Sequence, residues 1–259
     1  MSEKSAIRQA FTDLVPGYEQ AVDKELKRFW GLGYNDFVNH MIAITPFKDG
    51  DAVLDVATGT AVIPLKLIRL GTAWGEIVGL DITYAMLKKA WKKIEAVGEA
   101  HSLGDDKQPS TLIRLTCASA MAMPYPDGHF DVVMCALAAH HLDAPVVLAE
   151  MSRVLKPGGL LTFSDVFGSP AWRLPVISSL IRAATFIYFL FQDGLARGRA
   201  ESAAISNVYS GTEWEQKFGE AGFKGVKITT LPTSHSWLPI PLVIQAQKIG
   251  PEEENVNSN

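Results

Sequence analysis

Apolar and polar positions change their spacing twice along the chain. Up to about residue 48 the apolar residues recur at helical intervals, as in "FTDLVPGYEQAVDKELKRFW", broken at Pro16-Gly17. From residue 49 the pattern becomes short, nearly continuous apolar runs alternating with helical stretches. The runs are Ala52–Ala57, Glu76–Ile82, Leu112–Ala118, Phe130–Ala136 and Leu160–Val166, each bounded by turn residues. Strands apolar on both faces belong inside a parallel sheet that helices cover. "TYAMLKKAWKKIEAVG" and "APVVLAEMSRVL" supply such cover. Alternation through five units predicts an α/β fold built on an open, doubly wound sheet.

The alternation stops after Val166. Residues 168–206 read as an apolar, aromatic-rich helical cap ending in "QDGLARGRAESAA". The helix "GTEWEQKFGEAG" follows, with Thr212 as its expected N-cap and Glu215 completing a capping box. "KGVKITTLP" and "SWLPIPLVIQAQK" read as two last strands, and the charged tail 251–259 as disordered. The expected organisation is therefore a helical segment 1–48 over the site, a core 49–167, a cap 168–206, closing elements over 207–250, and the tail. Leu174–Phe191 approaches the length of a bilayer span, but Pro175 and Arg182 interrupt it. A buried or amphipathic cap helix is the expectation.

Composition narrows the function classes. An apolar fraction of 47% in 259 residues supports a large core. With 24 basic and 28 acidic residues the net charge is −4, which gives no electrostatic case for a nucleic-acid partner. Cys117 and Cys135 are the only cysteines, far apart and without metal-ligand neighbours, so neither a zinc site nor a disulfide framework is expected. That usage, and charges at the N-terminus with no apolar run behind them, fit a reducing, cytoplasmic compartment.

Ligands of an open α/β sheet bind outside the C-terminal ends of its strands. Asp55 and Asp81 sit at two such ends, and Asp81 follows Gly59 by 22 residues, the offset at which a carboxylate accepts from a ribose diol. Either carboxylate can instead cap the following helix. In "VLDVATGTAVIP" only Gly59 remains of the glycines that let a backbone approach a pyrophosphate, Ala61 and Pro64 standing further on. The turn therefore suits a nucleoside without a pyrophosphate, which disfavours an NAD-dependent oxidoreductase.

"VLDVATGTA", "IVGLDITYAML", "MPYPDGHFDVVMCALAAHHL" and "EMSRVLKPGGLLTFSD" follow one another in the order of the class I S-adenosylmethionine-dependent methyltransferases. Residues 51–166 resemble that family, and "FTDLVPGYEQ" with "FWGLGY" resembles, more distantly, its ubiquinone/menaquinone C-methyltransferase branch. The resemblance implies a Rossmann-like sheet of seven mostly parallel strands and S-adenosylmethionine as cofactor. Asp55 and the backbone of Ala57, Thr58, Gly59 and Thr60 would hold its methionine moiety, Asp81 the ribose, and Ile82 and Met86 the adenine. Ser119 stands where the family has an Asp that accepts from the adenine amino group. Ala120 would offer a backbone N–H, Met121 a side-chain contact, Ala136 a place at a strand end, and Tyr18 a cover. Ser119, Ala57 and Ala61 depart from the family pattern and imply weaker cofactor binding.

His140 and His141 fall near the expected methyl position, where an imidazole can take a proton from a phenol or carbon acid, or where His141 simply packs. The cap's large apolar residues, Trp172 to Phe191, suit a lipophilic aromatic acceptor of quinol, phenol or polyketide-like type, or else pack the cap onto the sheet. A non-catalytic S-adenosylmethionine-binding module is the alternative from another class. "KKAWKK" reads as a solvated face able to meet anionic lipid, which would make membrane contact peripheral. Arg197 and Arg199 read as cap-surface or substrate-steering residues, and His235 as structural.

Overall fold

The computed structural model describes residues 3–101, 113–233 and 239–250; Leu112, His235, residues 236–238 and the tail 251–259 lie outside them. One seven-stranded sheet has the order β3-β2-β1-β4-β5-β7-β6. β1 (Ala52–Val56), β2 (Glu76–Asp81), β3 (Ile113–Cys117), β4 (Phe130–Ala136) and β5 (Leu155–Phe167) pair in parallel, as their apolar runs predict. β7 (Ile240–Lys248) lies antiparallel between β5 and β6 (Phe223–Thr230). The sheet is thus the doubly wound, mostly parallel one expected. β5 starts earlier than Leu160, because Leu155 already pairs with Phe130 before the register shifts to Val132 and Leu160.

Strand order reverses between β1 and β4, and the chain exploits close approach there. Gly79 in β2 lies under Thr58 of the turn after β1. A Cβ at Gly79 would stand 2.8 Å from Thr58 Oγ1 and 3.0 Å from Leu115 Cδ2. Gly79→Ala is therefore expected to destabilise by about 1–3 kcal/mol through overpacking, read as a lower denaturation midpoint at unchanged m-value.

α4 (Val62–Leu67) carries Pro64 in its first turn, where the missing N–H breaks no helical bond. Asp143 caps α6 (Ala144–Val154), accepting from Val146 N at 3.3 Å. The N-cap of α9 (Gly211–Glu220) is Ser210, which corrects the expected Thr212. Ser210 Oγ accepts from Glu213 N at 3.3 Å, and Glu213 Oε2 accepts from Ser210 N at 2.7 Å. The helix begins at Gly211, so Thr212 is already inside its first turn while Ser210 keeps the extended ψ of 166° that a cap needs.

The N-terminal helices are α1 (Glu3–Leu14), α2 (Tyr18–Trp30) and α3 (Tyr34–Ile44), and α5 (Tyr84–His101) ties down α2 and the turn before it. Lys89 Nζ donates to the carbonyls of Val15 (2.7 Å) and Pro16 (3.1 Å), and Lys93 pairs with Glu19 at 2.8 Å. Glu19 also accepts from Thr60 Oγ1 at 2.6 Å, so α2 is latched to the turn after β1. Lys88 and Lys92 are exposed, but Lys89 and Lys93 depart from the solvated-face reading because the N-terminal segment covers them. Opposite, α7 (Pro175–Asp193) and α8 (Leu195–Ala204) form the cap. Among the described residues α7 alone is long and apolar enough to cross a membrane by length and composition.

Candidate functional site

A groove opens at the C-terminal ends of β1, β2 and β4, around a cavity of about 130 Å³. Tyr18, Ala57, Gly59, Asp81, Ile82 and Met86 line it, as do Ser119, Ala120, Met121, Ala136 and His141. Asp55, Thr58 and Thr60 are not at its surface; they stand buried behind the turn, with Asp55 Oδ2 accepting from Thr58 Oγ1 at 2.6 Å. Burial pushes the Asp55 carboxyl up to about 7, the Thr58 hydroxyl opposing and Asp81 adding to the rise. Phe11, Leu80, Thr83, Leu137, Ala138 and Leu142 complete the groove and were not singled out from sequence. Thr83 alone had a local signal, as the residue that Asp81 caps.

The turn answers the missing glycines in its own way. Ala57 (φ 58°), Gly59 (φ 54°) and Ala61 (φ 60°) all adopt the left-handed conformation. The two alanines hold the glycine geometry at roughly 1–2 kcal/mol of strain each. Leu137, just past β4, adopts φ 52° too, with its N–H donating to Ser164 O at 2.8 Å. Non-glycine residues forced into this region cluster where a site over-determines the backbone.

Asp81 is 9% exposed. Its Oδ2 accepts from Gly59 N at 2.9 Å and its Oδ1 from Thr83 N at 2.7 Å, so it fixes the turn and caps the next segment at once. The Thr83 side chain bonds the carboxylate as well, which leaves one of its four acceptor sites for the groove. Burial raises its carboxyl above the usual range despite the two N–H donors and the Thr83 side chain. Ile82, 45% exposed, offers an apolar wall beside it. A carboxylate with a spare acceptor site next to a flat apolar wall fits a ribose and its base, and the turn holds no second glycine for a pyrophosphate.

A second cavity, of about 510 Å³, lies between α2, α7 and α8 and shares Phe11, Tyr18, Leu137 and His141 with the groove. Its walls are mostly apolar, through residues such as Phe29, Trp172, Ile181 and Phe189, and its polar groups are Glu25, His140, His141, Arg197 and Glu201 among others. His140 belongs here and not to the groove. Its Nδ1 is 2.7 Å from Asp165 Oδ1, and its backbone N–H donates to Asp165 Oδ2 at 2.9 Å. Burial lowers the His140 pKa, but the fully buried Asp165 carboxylate outweighs it, and the net shift is upward. Burial and the neighbouring His140 push His141 down; its Nε2 lies 3.3 Å from Glu201 Oε1.

Arg197 is buried, which corrects the cap-surface reading. Its guanidinium packs 5.3 Å from the rings of Phe11 and Phe189, donates to Glu25 Oε2 at 3.2 Å, and lies 3.0 Å from Glu201 Oε1. Against burial, Arg197 and His141 hold Glu201 well below the usual carboxylate range, while burial takes Glu25 up to about 7 in spite of Arg197. Arg199 is exposed. His140, His141 and Glu201 present ligand atoms within 4.8 Å of one another. Arg197 already neutralises that carboxylate, so a cation would have to displace it. Sequence reading saw no such cluster, because Glu201 lies far along the chain on another helix.

Residues 54–163 match the methyltransferase domain family. The chain is 27% identical to the demethylmenaquinone methyltransferase of Symbiobacterium thermophilum over 84% of both chains. It is 33% identical to the ubiquinone/menaquinone biosynthesis C-methyltransferase of a Shewanella species over 52% of this chain, and spans about half (48%) of that relative's length. Among solved structures, a geranyl diphosphate C-methyltransferase from Streptomyces coelicolor superposes with a TM-score of 0.62 at 15% identity, covering 90% of this chain and 83% of that one. A methyltransferase from Aquifex aeolicus superposes with a TM-score of 0.58 at 17% identity, covering 91% and 98%. These likenesses show the fold, and residues 54–163 resemble the methyltransferase domain family within it.

Proposed function

We propose that this chain methylates an oxygen or carbon of a lipophilic aromatic acceptor, of quinol, phenol or polyketide-like type, held in the second cavity. The carrying observation is the junction: the groove and the apolar cavity meet at Phe11, Tyr18, Leu137 and His141. S-adenosylmethionine, when bound, supplies an electrophilic methyl group on a sulfonium for in-line displacement. In this reading Asp81 accepts from the ribose diol, and Ile82, Met86 and Met121 flank the adenine. Ser119 accepts from the adenine amino group and Ala120 offers its N–H. Asp55, Thr58 and Thr60 keep the turn in shape from behind.

His140 is the general base. Asp165 holds its Nδ1–H, which fixes the tautomer and leaves Nε2 to accept the acceptor's proton. Taking that proton would leave the electron pair on the acceptor's oxygen, or on the ring carbon conjugated with it, free for the methyl group that bound S-adenosylmethionine would supply. His141, held neutral, and Tyr18 stand at the junction and exclude water. Burial takes the Tyr18 hydroxyl up to about 12, so it stays a donor and does not compete as a base. The relatives named for quinone methylation support an acceptor of this kind.

A panel of radiolabelled methyl-transfer assays tests the reading. Naphthols and quinols with alkyl chains are expected to turn over. Turnover of small polar acceptors without any of the lipophilic aromatics would overturn it. Ser119→Asp is expected to tighten S-adenosylhomocysteine binding about fivefold, since a carboxylate accepts more strongly than a hydroxyl; isothermal calorimetry reads the change.

A further inference from the structure

α7 carries two apolar faces. One lines the second cavity through Ile181, Ala184, Thr185, Tyr188 and Phe189. The other holds Val176, Leu180, Ile187 and Phe191, which are 72%, 66%, 53% and 81% exposed. Their spacings of four, seven and four residues place them on a single stripe along the 19-residue helix. At 100° per residue, the helix's charged side chains, Arg182 and Asp193, fall on the side away from that stripe. Contiguous exposed apolar surface of this kind marks an interaction site.

We propose that this stripe seats the protein on an anionic phospholipid surface, with α7 lying in the interfacial plane and the cavity directly behind it. Charge selects the occupant. Apart from the buried Arg197–Glu201 pair, residues 168–206 hold three basic residues and one acidic residue, net +2, in a chain whose net charge is −4. Lys24 and Arg28 are exposed on neighbouring α2, and Arg28 reaches α7 itself, donating to the Tyr188 hydroxyl at 3.1 Å. Basic side chains flanking an apolar stripe attract anionic headgroups, whereas a second copy of this acidic chain would repel. The helix lies on the bilayer and does not cross it, because its inner face is committed. A Cβ at Gly198 of α8 would stand 2.9 Å from Phe186 O, so the two helices pack backbone to backbone. A lipophilic acceptor can then pass from the acyl region around α7 into the cavity. This goes beyond the acceptor reading and fails or stands independently of it.

The test is co-sedimentation of the full chain with vesicles of phosphatidylglycerol and phosphatidylethanolamine, against phosphatidylcholine vesicles, over a salt series. Binding to the anionic vesicles that weakens with salt is expected. Leu180→Asp with Phe191→Asp should reduce the partition coefficient at least tenfold, roughly the loss of inserting two large side chains. Lys24→Glu with Arg28→Glu should remove the preference for anionic lipid. Calorimetric titration with S-adenosylhomocysteine keeps these variants interpretable, because none of the four positions lines the groove or the cavity, and unchanged affinity shows a folded protein. Absent sedimentation with anionic vesicles overturns the proposal. So does a dimer in sedimentation velocity that Leu180→Asp and Phe191→Asp dissociate, since the stripe would then belong to a second copy.

Discussion

Asp165→Asn is expected to lower kcat by about 100- to 10,000-fold, the range for losing an oriented general base. It should leave S-adenosylhomocysteine affinity nearly unchanged, because Asp165 faces His140 and not the groove. The pH profile separates this from simple damage. With Asp165 in place the His140 pKa lies above its ordinary value, so kcat should rise with pH through that elevated value as the imidazole loses its proton. In the variant burial and Arg197 lower the pKa against Glu201 alone, and the limb should move to lower pH. Stability follows the same sign: a raised folded pKa stabilises fully below the unfolded pKa and loses that contribution as pH rises through the folded one. The Asp165→Asn deficit in denaturation midpoint should therefore be larger at acid pH than at alkaline pH. If kcat holds in Asp165→Asn and collapses in Glu201→Gln, the base is His141, whose only ionic partner among the described residues is Glu201.

The parts of this architecture that were legible in the sequence are those encoded locally. β1, β2 and β4 are almost wholly buried, so their residues had to be apolar in continuous runs, and such runs announce a parallel sheet. Asp81 was legible for the same reason, since it sits at a strand end whose place follows once the strands are known, whereas Ile82 and Ser119 were named only through the resemblance to the methyltransferases. Asp165 was not, although it lies in the apolar run Leu160–Val166. Nothing within a few residues distinguishes a carboxylate that holds His140 from one that caps a loop, and the pairing depends on β4 and β5 being adjacent. Arg197 misled for a related reason. "ARGRAES" reads as polar surface, yet α8 turns Arg197 inward onto Glu25 and Glu201 while Arg199 stays out. Lys89 and Lys93 likewise became anchors only because the N-terminal helices fold over α5. The second cavity is half of this non-local class: its apolar cap wall, with Trp172, Ile181 and Phe189, was legible, but its α2 wall and the polar cluster of Glu25, Arg197 and Glu201 meet it only in the folded chain.

Asp81→Ala is expected to abolish saturable S-adenosylhomocysteine binding, raising Kd by at least about 100-fold. A hydrogen bond to a charged acceptor contributes roughly 1.5–3 kcal/mol, and the ribose diol makes one at the remaining acceptor site. The substitution also strands the N–H groups of Gly59 and Thr83, which now donate to this carboxylate, so the turn itself loosens. Asp81→Asn separates the two effects. Its amide keeps one carbonyl to hold a turn N–H but exchanges the charge for a neutral group, and an intermediate loss of about tenfold is expected. Calorimetry with the wild type, both variants and NAD as a control ligand makes the measurement decisive. Heat from S-adenosylhomocysteine alone, graded from Asp to Asn to Ala, fits a nucleoside site whose ribose contact is Asp81. Undiminished binding in Asp81→Ala would mean that the turn's left-handed backbone at Ala57, Gly59 and Ala61 carries the affinity by itself. The alanines standing at two of those positions would then be adaptations rather than weaknesses of the site.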